Sequence, residues 1–552
     1  MKVRNLLVIG MLCVAGIATA GSTTDSYNIK RALEAAQQQD WETSVSFLSQ
    51  ELKENPTNGY AYAYFAAVCD MMGGYDNAVF SFSKKALRYL PKSDRYMNSE
   101  MEGYLGEIYE KAKDTTRAME HYRKAIAYDV TSPKFYGYLA NLRDEQKDYE
   151  GLVEQADGMI HHIKGLDKEA VSYVIITTGL NGLKRYEETI QYADKGLAIS
   201  DLSKGQQSVL RSEKAKALMG MKRYDEALAE AMVTARLNTH RGMQLLEQIA
   251  DSSDMQPVLD SIEAGFAADP SQYLWLAAAS DIYARHNNHV QGTYQLLRSA
   301  KVQESSQLYC QAAEYAINYL GDAEMAEQLY RKALETDSTD VLTMGHLADL
   351  YHDLGRYEEA LRTFDRVLTL DPEQKRFPVP YYLRGRVYRS MHNYSRAIED
   401  YYRALASGSE NTWAGIASLY KMMGDEAAAQ KAIEQGLMTM QKDTTMDMLL
   451  VMGDTLAAKA KAPKMVTKES SANQQYNAAC MYSRMEMPEE AMVALKKSLE
   501  CGFRNFHHIA WDDDLDNIRE LPEFAALVNE YKAKAKEEQE EVKRLSLSPA
   551  LP

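Results

Sequence analysis

The sequence is poor in the residues that mark several large classes of protein. It has only 13 Pro and 5 Cys in 552 residues, and its 63 Lys and Arg are outnumbered by 79 Asp and Glu, for a net charge of −16. Cysteines this sparse exclude a small disulfide-stapled scaffold. The acidic balance, with no strongly basic segment, excludes a typical nucleic-acid binder. With 45% hydrophobic residues, the chain is too apolar to be disordered.

The sequence also lacks the short motifs that accompany many enzymes. It contains no GxxxxGK[ST], no strand-linked GxGxxG, no GxSxG and no HExxH. We therefore expect a protein that is not an enzyme and binds no cofactor. A metal-dependent enzyme stays as an alternative at one place, the stretch from His507 to Asp514, where imidazoles and carboxylates occur close together. A solvated acidic loop is the interpretation we favour there, so we expect no metal.

The N-terminus has the pattern of a secretory signal peptide. Lys2 and Arg4 precede 12 apolar residues, Leu6 to Ile17, and the small residues 18–20 follow. We predict that residues 1–20 are cleaved and that the protein is exported to the periplasm or cell envelope, or secreted. Twelve apolar residues give about 18 Å of helix, short of the ~30 Å hydrocarbon core, so we expect no stable membrane insertion. Cys13 raises a lipoprotein alternative, but the residues before it are not the small ones that lipidation requires.

The rest of the chain repeats one pattern. Segments such as 346–372, 384–405 and 212–231 each read as a helix, a turn, a Tyr and then a small residue at a fixed offset. Two antiparallel helices that pack closely need small side chains where they cross. Aligned on that position, the chain shows a recurrent spacing of 34 residues. The aligned residues are Ser44, Ala78, Ala118, Leu152, Thr189, Ala227, Val258, Gly292, Ala326, Ala360, Ala397, Ala429 and Ala491.

This pattern resembles the tetratricopeptide repeat family. The unit that begins at Val341 places the motif's residue types in order at Leu347, Ala348, Tyr351, Gly355, Tyr357, Ala360, Phe364 and Pro372. The resemblance implies an all-α fold, a right-handed α-α superhelical solenoid of stacked helix-turn-helix repeats.

The resemblance also suggests how the chain is divided. We expect about twelve repeats over residues 25–443 and a degenerate helical connector over 444–471, with one helix-like stretch at 446–460. A terminal repeat with a capping module should follow over 472–530, similar to the end-of-group variant of the family. A charged helix and a frayed tail should complete the chain over 531–552. Cys69, Cys310 and Cys480 fall in apolar helical patterns and should be buried thiols, whereas pairing of Cys480 with Cys501 stays open.

The family resemblance also implies where a partner binds. First helices line the concave face in this family, and their register gives the candidate residues Tyr315, Asn318, Asp349, His352, Tyr382, Arg386, Arg389 and Lys421. The three cations among them form a small basic patch in an acidic protein and suit an acidic or C-terminal peptide. Ordinary solvated charges stay as the alternative. The positions of the family's carboxylate clamp are not filled in order, so we do not expect a receptor for chaperone tails.

These observations favour a non-enzymatic scaffold that binds a protein or peptide on its first helices. A carbohydrate- or nutrient-binding protein of the envelope is the second hypothesis, because an aromatic platform can stack on sugars. The resemblance of some glycan-binding lipoproteins to this repeat suggests that hypothesis. Those proteins, however, carry a lipidated cysteine and long insertions, which this sequence lacks.

Overall fold

The computed structural model describes residues 26–408, 412–439, 444–462 and 470–547. The predicted signal peptide and the end of the predicted tail lie outside these residues. The described residues form 31 α-helices and two 3-10 turns and contain no strand, which confirms the all-α prediction. No helix in this part of the chain is both long and apolar enough to cross a bilayer. The chain divides into two compact units at residues 249 and 250, near the end of one helix.

The first unit consists of helices that pair with their neighbours in sequence. They are α1 (Tyr27–Gln37), α2 (Trp41–Glu54), α3 (Gly59–Met72), α4 (Asp76–Tyr89), α5 (Arg95–Lys111), α6 (Thr115–Tyr128), α7 (Pro133–Glu145), α8 (Tyr149–His162), α9 (Ala170–Gly182), α10 (Tyr186–Leu197), α11 (Lys204–Gly220), α12 (Tyr224–Leu237) and α13 (Thr239–Ser252).

The second unit continues the same arrangement and ends in shorter helices and one long helix. Its helices are α14 (Gln256–Ala268), α15 (Leu274–Arg285), α16 (His289–Val302), α17 (Ser306–Tyr319), α18 (Ala323–Thr336), α19 (Val341–Asp353), α20 (Tyr357–Leu370), α21 (Pro380–Ser390), α22 (Tyr394–Ala406), α23 (Thr412–Met422), α24 (Glu426–Thr439), α25 (Met446–Met452), α26 (Thr455–Lys461), α27 (Ala472–Arg484), α28 (Pro488–Glu500), α29 (Phe506–Trp511), α30 (Asp516–Arg519) and α31 (Pro522–Leu547).

The small residue of the repeat lies where the two helices of a pair meet. It is usually the fourth residue of the second helix, and Ala118, Ala227 and Ala360 there are fully buried. In α4 the register is one residue off the sequence alignment: Ala78 is half-buried and Val79 takes the buried place. A small side chain lets the paired helices approach closely, so their apolar faces form a continuous core.

The turn inside nearly every repeat places one residue in the left-handed region, and the turn between α13 and α14 is the described exception. Gly355 has a φ of 71°, but Lys147 and Lys222 adopt 58° and 59° at the equivalent place. A non-glycine residue there is strained, because its Cβ crowds the backbone. The next residue precedes the second helix and can cap it, as Asp148 does by accepting a hydrogen bond from the Gly151 backbone N–H at 3.0 Å. The Asp-Tyr and Arg-Tyr pairs of the sequence therefore mark the start of second helices.

The stretch at 446–460, expected to be one helix, is two. Gly453 has a φ of 79° and separates α25 from α26, each of seven residues. Ala458 is the fourth residue of α26 and is fully buried, so the two helices form a shortened repeat. Met446 and Leu449 pack with Met485 of the turn after α27, and this contact attaches the following helices.

Residues 472–547 form what we call the C-terminal module. Its helices α27 and α28 are a repeat pair, and α29, a 3-10 turn (Asp513–Leu515), α30 and α31 follow. Phe503, Leu515, Phe524 and Tyr531 belong to the apolar core of this module. The end of the predicted capping module and the predicted charged helix, expected to be separate, form one helix of 26 residues.

Candidate functional site

A cavity of about 860 Å³ lies within the second unit, between the first helices of several repeats and the C-terminal module. It is lined by four of the eight predicted binding residues, His352, Tyr382, Arg386 and Arg389. The volume falls in the range of sites that hold a small ligand or a few residues of a peptide. We call this site the arginine cavity.

Arg386 is the residue of the arginine cavity with the most unused hydrogen-bonding capacity. Its side chain is 28% exposed, and its one ion pair in the described structure is with Asp349, whose Oδ1 lies 3.6 Å from Nη1. That distance is beyond a hydrogen bond, so five N–H donors have no described acceptor. Burial lowers the pKa of the guanidinium, but the charges of Asp349 and Asp353 outweigh burial and the pKa lies above its usual value.

Arg389 and Tyr382 lie on the same helix, and each already makes one contact within the protein. Arg389 Nη2 donates to Asp513 Oδ2 at 2.8 Å, while its buried Nε has no described partner. The Tyr382 ring stacks on the Tyr401 ring, with centroids 5.5 Å apart, and remains 38% exposed. Tyr382 therefore presents an aromatic surface beside two guanidinium groups.

His352 is held in its neutral form. One ring nitrogen, Nε2, lies 2.9 Å from Ser390 Oγ, and the other, Nδ1, is buried without a hydrogen-bond partner. Burial and then the charge of Arg386 lower the pKa of His352, although Asp349 and Asp353 oppose this. His352 therefore contributes hydrogen bonding rather than positive charge at neutral pH.

The other predicted residues lie outside the lining of the cavity. Tyr315 contacts Tyr319 edge-on, with centroids 5.1 Å apart, and Asn318 accepts a hydrogen bond at its backbone carbonyl. Lys421 donates from Nζ to the carbonyl of Val451 at 2.5 Å, at the end of α25. The predicted patch of three cations is therefore two arginines, and Asp349 is the counterion of one of them.

An acidic and imidazole network joins Asp353 of α19 to the C-terminal module along the lining of the cavity. Asp353 accepts a hydrogen bond from Asn505 Nδ2 at 3.0 Å and lies 3.0 Å from His508 Nδ1. His508 Nε2 lies 3.5 Å from Asp512, which accepts a hydrogen bond from Tyr476 at 2.7 Å. Burial lowers the pKa of His508, but the hydrogen bond and charge of Asp353 outweigh it and the pKa is raised. The network thus places an imidazole with a raised pKa between two carboxylates.

Several side chains between His507 and Asp514 make hydrogen bonds or ion pairs within the protein. Burial raises the pKa of Asp514 to about 6, against the opposing charge of Arg484. In the part of the chain that the structure describes, no group of three or more His, Cys, Asp and Glu side chains is arranged to hold a metal ion.

The described cysteines are all reduced. Cys69, Cys310 and Cys480 are buried, as the sequence predicts, and Cys501 is half-buried. Burial and the charges of Asp512 and Asp514 raise the pKa of Cys480. A buried thiol with a raised pKa is a poor nucleophile.

Sequence reasoning missed Asp353, Asn505 and Asp513 as parts of this site. The acidic stretch after Trp511 is visible in the sequence, but Arg389, the partner of Asp513, lies 124 residues away along the chain. Asp353 likewise lies 155 residues from its partner His508. No local pattern connects positions so far apart.

Comparisons with known proteins agree with this architecture. Models described as "Tetratricopeptide repeat" match residues 105–129, 319–377 and 380–407. A curated relative, a chloroplastic protein of Arabidopsis thaliana, is 31% identical over 65 residues, which are 12% of this chain and 19% of the relative. The chain thus spans about a fifth of the length of that relative.

Two solved structures are similar to the chain at low identity. A tetratricopeptide repeat protein from Parabacteroides merdae is 22% identical and aligns over 46% of this chain and 100% of its own, with a TM-score of 0.31. Yeast Tom70 is 13% identical and aligns over 81% and 98%, with a TM-score of 0.32. The matched segments are thus tetratricopeptide repeats, and the helix pairs around them have the same arrangement.

Proposed function

We propose that this protein is a non-enzymatic interaction scaffold that binds a segment of a partner protein at the arginine cavity. The repeat family supports a role in protein–protein interaction. The observation that carries the choice of site is Arg386, a charged guanidinium that lines a cavity and has no described hydrogen-bond acceptor. Arginine is among the residues that anchor interfaces, since its planar fork pairs with carboxylates at two points.

The lining defines the chemistry of the partner. Arg386 suits an acidic side chain or a terminal carboxylate, and the exposed face of Tyr382 suits the apolar part of the same segment. Asp353 and Asp512 already accept hydrogen bonds from Asn505 and Tyr476. These two carboxylates therefore compete little with an incoming acid for Arg386, and we expect binding to weaken as salt screens the charges.

Substitution of one arginine tests this site. We expect Arg386→Glu to abolish capture of the partner that the wild-type protein retains from the envelope fraction of its native cell. Arg362 is exposed on α20, outside the cavity lining, so Arg362→Glu makes the same change in net charge and should capture that partner normally. Equal capture by wild type and Arg386→Glu, with unchanged circular dichroism, would refute the proposed site.

Export is the second part of the proposal. Its support is the charged start, the apolar run and the small residues within positions 1–20. N-terminal sequencing of the protein from its native cell should find Gly21 as the first residue, in the periplasmic or envelope fraction. A cytosolic protein that retains residues 1–20 would contradict it.

A carbohydrate ligand is a second candidate, favoured by one observation. Trp511 and Tyr382 both line the arginine cavity and are 64% and 38% exposed. Exposed aromatic faces can stack on sugar rings. Binding on a glycan array that Trp511→Ala abolishes would support this candidate, and the absence of binding to any glycan would dismiss it.

A further inference from the structure

The C-terminal module has an apolar core of its own. Phe503 and Phe506 belong to one buried cluster, and Leu347 and Tyr351 of α19 belong to another, and the two clusters share no residue. Each side therefore has a core cluster of its own. Parts of a chain with separate cores meet as domains do, through contacts that can open while both stay folded.

The contacts that join the module to the earlier repeats are mostly polar. Two apolar features are described there. Phe506 lies beside Gly321, where a Cβ would lie 3.0 Å from the ring, and Val542 of α31, which packs against α16, is fully buried outside the module's core cluster. Water can replace each polar partner when the contact opens, so such bonds contribute little net stability. The polar contacts are Arg504 N to Asn318 O, Asn505 and His508 to Asp353, Asp513 to Arg389, Cys501 O to His289, Gln539 to Leu320 O, and Arg484 to Asp447 of the shortened repeat.

One of these contacts has the chemistry expected of the partner. Asp513 places a carboxylate on Arg389, beside the unbonded guanidinium of Arg386. Resting on the proposed function, we propose that the C-terminal module docks reversibly on the first helices and that Asp513 competes with an acidic partner segment for Arg389. The module thus controls access to the arginine cavity, and the competing partner is an acidic segment rather than a basic one.

The module keeps its attachment when this contact opens. Met485 packs with Met446, Leu449 and Ala458 of the shortened repeat, on residues that take no part in the docking contacts. Opening therefore requires only that residues 501–514 and the later part of α31 leave the first helices. The core of α27 and α28 stays intact in the open form.

Hydrogen exchange measures docking directly, with or without a partner. In the full-length protein, Asp513→Lys faces Arg389 with a like charge, and we expect exchange in residues 501–515 to accelerate about fivefold while residues 488–500 stay unchanged. Asp516→Lys is the matched control, because Asp516 is 66% exposed and pairs with Arg519 of the module itself. The double variant Arg389→Glu with Asp513→Lys restores the pair and should restore slow exchange.

A second variant and a defined probe complete the test. Asp353→Asn keeps the shape of the acceptor and removes the charge opposite His508, so it too should accelerate exchange in residues 501–515. The probe is a fluorescein-labelled peptide with the sequence of residues 510–517, which should bind Asp513→Lys about fivefold more tightly than it binds the wild type.

The two proposals fail in different ways. Reversible docking is refuted if neither Asp513→Lys nor Asp353→Asn accelerates exchange, or if residues 472–500 accelerate equally. If exchange accelerates but the peptide binds no variant, docking stands, whereas the competition fails together with the proposed binding site. If the peptide binds wild type and Asp513→Lys equally, the site stands and control by the module is refuted.

Discussion

The α19–α20 repeat and the C-terminal module differ in the sequence separation of the contacts that hold them in place. In the repeat, Arg356 pairs with Glu327 and His352 with Ser390, which are 29 and 38 residues away. In the module, Asp513 and Gln539 reach partners 124 and 219 residues away. The contrast teaches that the repeats are specified by neighbours in the sequence, whereas the placement of the module depends on the completed fold.

The largest expected effect comes from removing one buried ring from each region. Phe364→Ala in α20 should lower the free energy of unfolding of the neighbouring repeats by about 3–5 kcal/mol, because the ring is fully buried. Phe503→Ala should destabilise the module by a similar amount and leave exchange in α19 and α20 unchanged. Urea titrations followed by hydrogen exchange of each segment would measure both. If Phe503→Ala loosens α19 as strongly as Phe364→Ala does, the two cores are not separate.

The next effect is a pH dependence that belongs to the module contact alone. Burial lowers the pKa of His289 to about 4, and its Nε2 donates to the carbonyl of Cys501 at 3.2 Å. A histidine pKa lowered by docking stabilises the docked form above about 6.5, and that contribution is lost as pH falls from 6.5 through about 4.

Comparison with one variant isolates this histidine. His289→Gln keeps a hydrogen-bond donor but does not titrate, so exchange of residues 501–505 relative to wild type should slow as the pH is lowered from 7 to 4.5. Comparing both proteins at each pH removes the intrinsic pH dependence of exchange. His508 acts in the opposite sense, because its pKa is raised. Its contribution to the stability of the docked form is fully present below pH 6.5 and is lost as the pH rises through the raised pKa. A constant ratio between the two proteins would show that His289 is not buried by docking.

A local change in a repeat turn should act only on its own repeat. Lys222 has a φ of 59° between α11 and α12, so Lys222→Gly should stabilise the first unit by up to about 1 kcal/mol as the backbone strain is relieved. Gly205 lies in the first turn of α11 with no such φ, and Gly205→Ala serves as a comparison without strain relief. Thermal unfolding that is unchanged by Lys222→Gly would contradict a strained turn.

The smallest expected effect is the loss of one exposed ion pair. Asp513→Asn removes the charge facing Arg389, and the two side chains are 61% and 34% exposed. Such a pair contributes about 0.2–1 kcal/mol, less at high salt. A double-mutant cycle with Arg389→Gln, read by exchange of residues 501–515 at low and high salt, would measure the coupling. A coupling that does not change with salt would argue against a direct ion pair.

The repeats could be predicted from the sequence because their signals are local. Small residues at a fixed spacing located the helix crossings, and the single shift, from Ala78 to Val79, arose because both residues are apolar and either fits the pattern. The division of 446–460 was harder to predict, since Gly453 can also occur within a helix. The left-handed conformation of Gly453, with a φ of 79°, cannot be read from the residue type alone.

The candidate site was predictable only in part. Helix register placed Arg386, Arg389, Tyr382 and His352 on one surface, and the structure brings all four to one cavity. Register could not show that Lys421 turns to the carbonyl of Val451, because that acceptor belongs to a short helix whose end was not visible in the pattern. It also could not show that Asp513 reaches Arg389, since no periodicity relates two positions 124 residues apart.

The range of these contacts has a consequence during translation. The ribosome releases α16–α21 well before residues 501–547 exist, and each early hairpin can form from nearby residues alone. For that interval His289, Asp353 and Arg389 face water instead of their later partners. A ligand present where the protein folds therefore meets an open surface until residues 501–547 dock.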